Sequence, residues 1–323
     1  MKIRKYVFGF LLFLLVIALA GCGHQAESKQ SSDTGNQKTI RIGYQKYGTL
    51  NILKAKGTLE KRLAALGYSI KWTEFPGGPQ LLEALRVGEI DLGHTGEAPP
   101  IFAQAAGAPL VYLGHEPASP KSEAILVHKQ SSIQKVSDLK GKKVALNKGS
   151  NVHYLLVKQL EKAGLKYKDI QPRYLPPADA RAAFERGSVD AWVIWDPYFA
   201  AAQTVTQARI LADGQQTVSN YEFYLASRQF IQTHRDLIPT IFAELEKTAK
   251  WAEKNPHQLA ELLSPQLGID VKSLEVAAKR RNYGVQKMSN QVIAEQQKVA
   301  ETFLKLGLIP KAIKVKDAVL DIR

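Results

Sequence analysis

Leu85-Arg86-Val87-Gly88-Glu89-Ile90-Asp91 closes a helix and opens a strand. The helix over Pro79–Val87 is opened by proline and stopped by Gly88, and Ile90–Thr95 then reads as a strand. Ninety-nine positions on, Phe184-Glu185-Arg186-Gly187-Ser188-Val189-Asp190 repeats the joint. There Pro177–Arg186 is the helix, Gly187 the stop and Ala191–Ile194 the strand. In the same register Glu97 falls opposite Asp196. Such joints recur in any chain of alternating elements. They are also what two similar lobes would show, each presenting the end of an equivalent strand to a shared cleft. Ligands of open α/β sheets bind at the carboxyl ends of strands.

The alternation extends to both sides of these joints. Thr39–Tyr44 sets Ile40, Ile42 and Tyr44 on one face, a strand pattern. Leu50 to Leu66 carries Leu53, Leu59, Leu63 and Leu66 at helical spacing. Ile70–Phe75, Leu110–His115, Ala124–His128, Lys143–Leu146 and Gln171–Leu175 read as strands, and Asn151–Ala163 as a helix ended by Gly164. After a strand at Glu222–Ala226 the chain reads as helical nearly to its end. This order implies an α/β protein with mainly parallel sheets and helices on both faces. Its 323 residues allow a core divided between two domains.

The first residues carry a different signal. Lys2, Arg4 and Lys5 precede an apolar run from Tyr6 to Ala20, followed by Gly21 and Cys22. At about 1.5 Å per residue the run reaches roughly 22 Å, short of the roughly 30 Å hydrocarbon core. It reads as an export signal over residues 1–21 rather than a permanent span. Cys22 is the single cysteine of the chain, and its setting resembles a bacterial lipobox. That resemblance implies cleavage before Cys22 and its lipidation. Residues 22–38 are polar and read as a flexible tether to the membrane. With no second cysteine there is no internal disulfide. The formal charge is +14, but the lysines are dispersed and no basic run alternates with aromatics. A nucleic-acid partner is therefore not expected; a basic exterior facing anionic lipid or cell wall is.

Several segments in order carry a family resemblance. They are Ile42-Gly43-Tyr44-Gln45-Lys46, Glu74-Phe75-Pro76-Gly77-Gly78-Pro79-Gln80 and Asp91-Leu92-Gly93-His94-Thr95-Gly96-Glu97-Ala98-Pro99-Pro100. Asp138-Leu139-Lys140-Gly141-Lys142-Lys143-Val144-Ala145, Lys148-Gly149-Ser150 and Pro177-Ala178-Asp179-Ala180-Arg181-Ala182-Ala183-Phe184 follow, and Asp190-Ala191-Trp192-Val193-Ile194-Trp195-Asp196-Pro197 ends the series. From about Thr39 onward the chain resembles the periplasmic-type solute-binding proteins of ABC transporters, in their aliphatic-sulfonate branch, with taurine and nitrate receptors as sister branches. The resemblance implies the type II periplasmic-binding-protein fold, two lobes joined by two hinge strands. Lobe one would be residues 39–123 plus 227–323, and lobe two residues 124–226. It also implies a monomer in the cell envelope that closes on a small organosulfonate and delivers it to a permease and its ATPase, without a cofactor.

A sulfonate is a permanent anion that accepts many modest hydrogen bonds. Neutral donors suit a receptor that must also release it, because a buried ion pair is costly to desolvate and to break. Gly149-Ser150-Asn151, ahead of the Val152–Ala163 helix, offers a helix N-terminus with free N–H groups; Ser150 or Asn151 is equally placed as a plain N-cap. Thr95-Gly96 offers a second donor set, and Gln45 an amide. Trp195 and Tyr44 can wall the organic part, while Trp192 belongs to the core. Tyr221 and Tyr224 lie near the second hinge and either reach the cleft or pack. Asp196, before Pro197, reads first as a helix cap. Asp196, Glu97 or Glu116 facing the ligand would meet a cationic or hydroxyl end.

Enzyme chemistry finds little support. The seven histidines form no H-E-x-x-H spacing, and His94 and His115 read as satisfied polar side chains rather than a metal pair. No catalytic residue is assigned. The rival of another class is a desulfinase-like enzyme of the same fold, which would need a cysteine nucleophile in the body; Cys22 lies outside it.

Overall fold

The computed structural model describes residues 38–320. The expected export signal, the lipidated Cys22 and the tether up to Gln37 lie outside the described residues. From its start the body runs β1 (Lys38–Gln45), α1 (Thr49–Lys56), α2 (Thr58–Ala64), β2 (Tyr68–Phe75), α3 (Gly78–Arg86), β3 (Leu92–Gly96), α4 (Pro99–Ala105) and β4 (Leu110–His115). It continues with β5 (Glu123–Val127), β6 (Lys143–Leu146), α5 (Asn151–Lys162), β7 (Gln171–Tyr174), α6 (Pro177–Glu185), β8 (Ala191–Trp195), α7 (Tyr198–Val205) and β9 (Arg209–Asp213). β10 (Glu222–Ser227) is followed by helices α8 (Arg228–His234), α9 (Ile238–Lys254), α10 (Pro256–Leu267), α11 (Val271–Arg280) and α12 (Asn290–Lys305).

The strands form two five-stranded sheets, ordered β2-β1-β3-β10-β4 and β7-β6-β8-β5-β9. The two orders correspond position by position. In the first sheet only β10 runs against its neighbours, and in the second only β5. β3 and β8, which follow the two quoted joints, hold the same place in their sheets. The local bonding matches too. Arg41 N donates to Asp91 Oδ2 at 2.8 Å and Lys143 N to Asp190 Oδ2 at 2.7 Å. Asp91 N returns to Arg41 O, and Asp190 N to Lys143 O, each at 2.8 Å. The glycines between helix and strand take left-handed backbone angles, φ 78° at Gly88 and 70° at Gly187. That conformation lets the chain leave each helix sharply toward the sheet. The joint is thus a repeated device of two sheets, not an accident of alternation.

Helices cover both faces of each sheet. Ile40, Ile42 and Tyr44 of β1 pack with α1, α2, α8 and α9. The opposite face of the first sheet shares one continuous core with the second, through α3, α4, α5 and α12. α6 and α7 close the far side of the second sheet around Phe184, Trp192 and Phe199. Trp192 is 1% exposed.

Some boundaries differ from expectation. The Leu50–Leu66 helix is two helices, broken at Gly57, where φ is 62°. β3 starts at Leu92, because Asp91 is occupied by Arg41. β9 has no counterpart in the sequence reading, and α7 is marked there only by the expected cap at Asp196, since the small-residue run Phe199-Ala200-Ala201-Ala202 shows no clear period. β10 pairs wholly within the first sheet, between β3 and β4, whereas the expected partition runs lobe two through Ala226.

The chain passes between the sheets twice, after β4 and before β10, and the two passages are bonded together. Ser119 N donates to Ser219 O at 3.1 Å, Gly214 N to Pro120 O at 3.0 Å, and Asn220 Nδ2 to Ser119 O at 2.9 Å. A Cβ on Gly214 would lie 2.5 Å from Pro120 O. Gly214→Ala is therefore expected to cost about 1–3 kcal/mol of stability, read by urea denaturation; an unchanged midpoint would show that the passages have room to part.

Candidate functional site

The carboxyl edges of the two sheets face each other, and they touch where glycines of one edge meet side chains of the other. A Cβ on Gly96, the last residue of β3, would lie 2.9 Å from Asn151 Cβ at the start of α5. A Cβ on Gly77, ahead of α3, would lie 2.4 Å from Asn147 Nδ2 and 3.1 Å from Gln80 Oε1. Glycine at these two positions is what permits the approach. Phe102 of α4 lies against Gly149, 3.5 Å from its ideal Cβ position.

The turn into α5 is firmly built. Ser150 occupies the N-cap position, but its hydroxyl accepts no cap bond and instead donates to Asn147 O at 2.7 Å. Gly149 N donates to His153 Nδ1 at 3.1 Å. Burial, then the nearby Lys148, push His153 down to about 4, so the imidazole is neutral and can accept. Among the described residues no hydrogen bond uses the backbone N–H of Asn151 or Val152. These remain donors at the positive end of a twelve-residue helix. Asn147 Nδ2 and Gln80 Oε1 are likewise buried without a partner among the described residues. Sequence reasoning missed both. Gln80 stands in the quoted Gly-Gly-Pro-Gln segment, and Asn147 follows β6 directly, at a strand's carboxyl end; that position was the usable signal.

The carboxyls near this edge fall into two groups. Glu97 is 2% exposed; Tyr221 N donates to its Oε2 at 3.4 Å and its Oε1 is unpartnered among the described residues. Burial pushes it up to about 8. Glu123, fully buried, accepts from Asn151 Nδ2 at 2.6 Å and is raised by burial and then by Glu97. Asn151 also donates to Asn220 Oδ1 at 3.0 Å. A carboxyl in such a place holds its proton near neutral pH. Glu123 and Asn220 were not foreseen; both lie in polar stretches bounding strands, which sequence alone cannot tell from surface.

Glu116 is charged. Although burial pushes it up, the Arg281 guanidinium and His94 outweigh burial and hold it below the usual range. Arg281 Nη2 donates to Glu116 Oε2 at 2.6 Å and Nε at 2.9 Å, while Thr49 and Tyr224 hydroxyls donate to Oε1. His94 stands between Glu116 and Glu222, at 3.2 and 3.1 Å. Tyr224 and Glu116 are thereby absorbed in one buried network. Burial likewise pushes Asp196 up to about 7, against the pull of Arg280 and the Ala200 N–H. Its Oδ1 accepts from Ala200 N at 3.0 Å. The N-cap of α7 is Pro197, so Asp196, the expected cap, lies one position before it.

The other expected residues are placed as follows. Thr95 is buried and its hydroxyl donates to Gly96 O at 3.1 Å. Gln45 Nε2 donates to His94 O at 2.9 Å, tying β1 to β3. Tyr44, near the carboxyl end of β1, packs edge-on against Trp72 at 6.1 Å, on the α1 and α9 side of its sheet. Trp195 ends β8 half-buried, opposite Glu123. Tyr221 packs edge-on against His115 at 5.2 Å. A cavity of 380 Å³ opens beside Glu97, between α12 and residues 216–219. Among the described residues no cluster could hold a metal ion, and no helix is long and apolar enough to cross a membrane.

Comparison with known proteins places this architecture. The NMT1/THI5 like family model matches residues 69–259. A relative from Escherichia coli (strain K12), described as an aliphatic sulfonates-binding protein, is 43% identical over 309 residues, 95% of this chain and 96% of its own. Two solved structures share the fold. The alkanesulfonate-binding protein SsuA of Xanthomonas axonopodis pv. citri, bound to MOPS, is 42% identical with a TM-score of 0.83, covering 87% of this chain and 98% of its own. The periplasmic aliphatic sulphonate binding protein SsuA of Escherichia coli is 44% identical with a TM-score of 0.79, covering 88% and 92%. All three are binding proteins rather than enzymes. The chain belongs to the NMT1/THI5-like family, and within it to the aliphatic sulfonate-binding solute receptors.

Proposed function

We propose that the protein is the extracytoplasmic receptor of an ABC importer and that it captures small alkanesulfonates between its two sheets. One observation carries this reading: the edge where the sheets meet offers unused, uncharged donors, while the carboxyls around it are either ion-paired or protonated. The donors are the N–H groups of Asn151 and Val152 and the amide of Asn147; on the facing edge stand Gln80, whose unpartnered Oε1 is an acceptor, and Thr95 and Gly96, which already bond each other. A sulfonate held by such dipoles is gripped without a buried counter-ion and can be released. Trp195, half-buried at the end of β8, supplies an apolar wall for the alkyl part. The lobes divide at the two bonded passages, 116–122 and 214–221. Support for the ligand class also comes from the Xanthomonas relative, whose bound MOPS is a propanesulfonate. The extracytoplasmic setting is supported by the periplasmic relative and by the export-like first 21 residues. Lipidation of Cys22, monomeric function and delivery to a permease with its ATPase complete the proposal.

The test is a calorimetric and thermal-shift panel of methanesulfonate to octanesulfonate, taurine, nitrate and sulfate. Alkanesulfonates are expected to bind and to be recovered unchanged. Binding of nitrate or sulfate with no sulfonate, or release of sulfite, would overturn the reading. In Trp195→Ala the affinity is expected to fall at least about tenfold with the melting temperature little changed; undiminished affinity would remove Trp195 from the site. pH supplies a further check. Glu97 is raised by burial, so its neutral form prevails below about 8 and a carboxylate emerges beside the anion above it. Sulfonate affinity should therefore weaken as the pH rises through that value, and Glu97→Gln should flatten the profile. A wild-type profile as flat as the variant's would exclude Glu97 from the ligand's surroundings.

A further inference from the structure

The positive charge of the chain is not shared evenly over the molecule. From Cys22 onward there are 41 lysines and arginines against 30 acids, and residues 129–173 alone hold eleven against three. Six of these cations meet on one face. Lys140, Lys142 and Lys143 lead into β6, while Lys162 closes α5 and Lys166 and Lys168 follow it before β7. The two segments are bonded together, Gly141 N to Asp169 O at 2.7 Å and Gln171 N to Lys142 O at 2.8 Å. Five of the six are exposed and Lys142 is half-buried. Among the described residues none of the six is in an ion pair. The acids nearby are engaged elsewhere. Asp138 accepts from the N–H groups of Gln134 and Lys135, Asp169 from Lys166 N and Asp190 from Lys143 N, and Glu161 pairs with Lys158. In the first sheet Arg41 is closed by its ion pair with Asp91; Lys143, at the matching place in the second, is not.

The lysine face is the amino edge of the second sheet. Lys38, where residues 22–37 join the body, starts β1 at the amino edge of the first sheet. Because the carboxyl edges face each other, the two amino edges point apart, and a tether at one leaves the other to swing. We propose that the lysine face is a docking surface for an anionic lipid bilayer, holding the second end of the receptor on the membrane to which Cys22 anchors the first. The proposal rests on the anchored-receptor reading above. Lysine suits this partner. A compact charge on a flexible stem needs no fixed geometry, so it matches a fluid array of phosphate headgroups. Nucleic acid matches less well. Tyr167, the one aromatic residue within these two lysine segments, is turned inward, its ring 5.2 Å from that of His153 and its hydroxyl on Tyr174, so the face has no platform for a base.

The deciding experiment is lysine acetylation, read by peptide mass spectrometry, on the protein isolated from the cell envelope. It is mixed with vesicles of phosphatidylglycerol and phosphatidylcholine, or of phosphatidylcholine alone. On the anionic vesicles at low salt, labelling of the six lysines is expected to fall at least about fivefold, and sodium chloride at about 0.5 M should restore it. Lys247 and Lys250 of α9, also exposed, should change less than about twofold. In the combined variant Lys140→Gln, Lys143→Gln, Lys166→Gln the protection of Lys162 and Lys168 should be lost, with the melting temperature unchanged because the three positions are exposed. Equal protection of Lys247 and Lys250, equal protection by phosphatidylcholine alone, or no protection would overturn the proposal. So would double-stranded DNA that shields the six as strongly without vesicles, which would assign the face to a soluble polyanion. Intact mass reads the anchor separately: a protein without lipid on Cys22 that still shows the anionic protection keeps the docking face and loses only the tether's attachment.

Discussion

Arg281 is a guanidinium 8% exposed, held between Glu116, where the chain leaves the first sheet, and Glu222, where it returns. None of these charges would be tolerable at that depth alone. Together, with the Thr49 and Tyr224 hydroxyls completing the acceptor shell of Glu116 and His94 lying between the acids, they fix both passages at one point. The rest of the molecule depends on this constraint. The angle at which the two sheets present their edges, and so the contact of Gly96 with Asn151, is set where the chain crosses. Asn282, next to Arg281, extends the tie, with its N–H on Ser119 Oγ and its amide on Ala118 O.

Charge is handled quite differently a few residues away. At the meeting edge, burial without a counter-ion leaves Glu97 and Glu123 protonated, and the unused donors are backbone and amide N–H groups. The contrast has a physical logic. A paired ion is rigid and expensive to part, which suits a permanent junction. Neutral dipoles hold an anion with many small contributions, each easily surrendered, which suits cargo that must leave again.

Much of this architecture is legible in the sequence because it repeats. Gly88 and Gly187, with Asp91 and Asp190 after them, mark one device used twice, and the register that sets Glu97 opposite Asp196 is the register of β3 and β8. Alternating β-branched and aromatic runs locate most strands within two residues. The site is only partly readable. Gly149-Ser150-Asn151 and Thr95-Gly96 lie on the facing edges, but what their side chains do was not foreseeable. The Ser150 proton is spent on Asn147 O, Asn151 on Glu123, and Gln45 on a strand carbonyl. Tyr44 shares the alternation of Ile40 and Ile42, which already places it on a core-facing side. Partners such as Glu123, Asn220, Arg280 and Arg281 come from distant segments, and no local pattern announces that a surface-like polar residue will be brought inside.

β10 lies between β3 and β4, so two strands close in sequence never pair and wait for a third from a hundred residues downstream. A chain emerged only as far as His115 holds β2, β1 and β3 as a partial sheet and leaves β4 without a neighbour. The first sheet is therefore completed after every strand of the second has been made. Such long-range closure slows folding and prolongs an open, unfinished state during synthesis. For a polypeptide threaded through a secretion channel before it compacts, that delay is an asset.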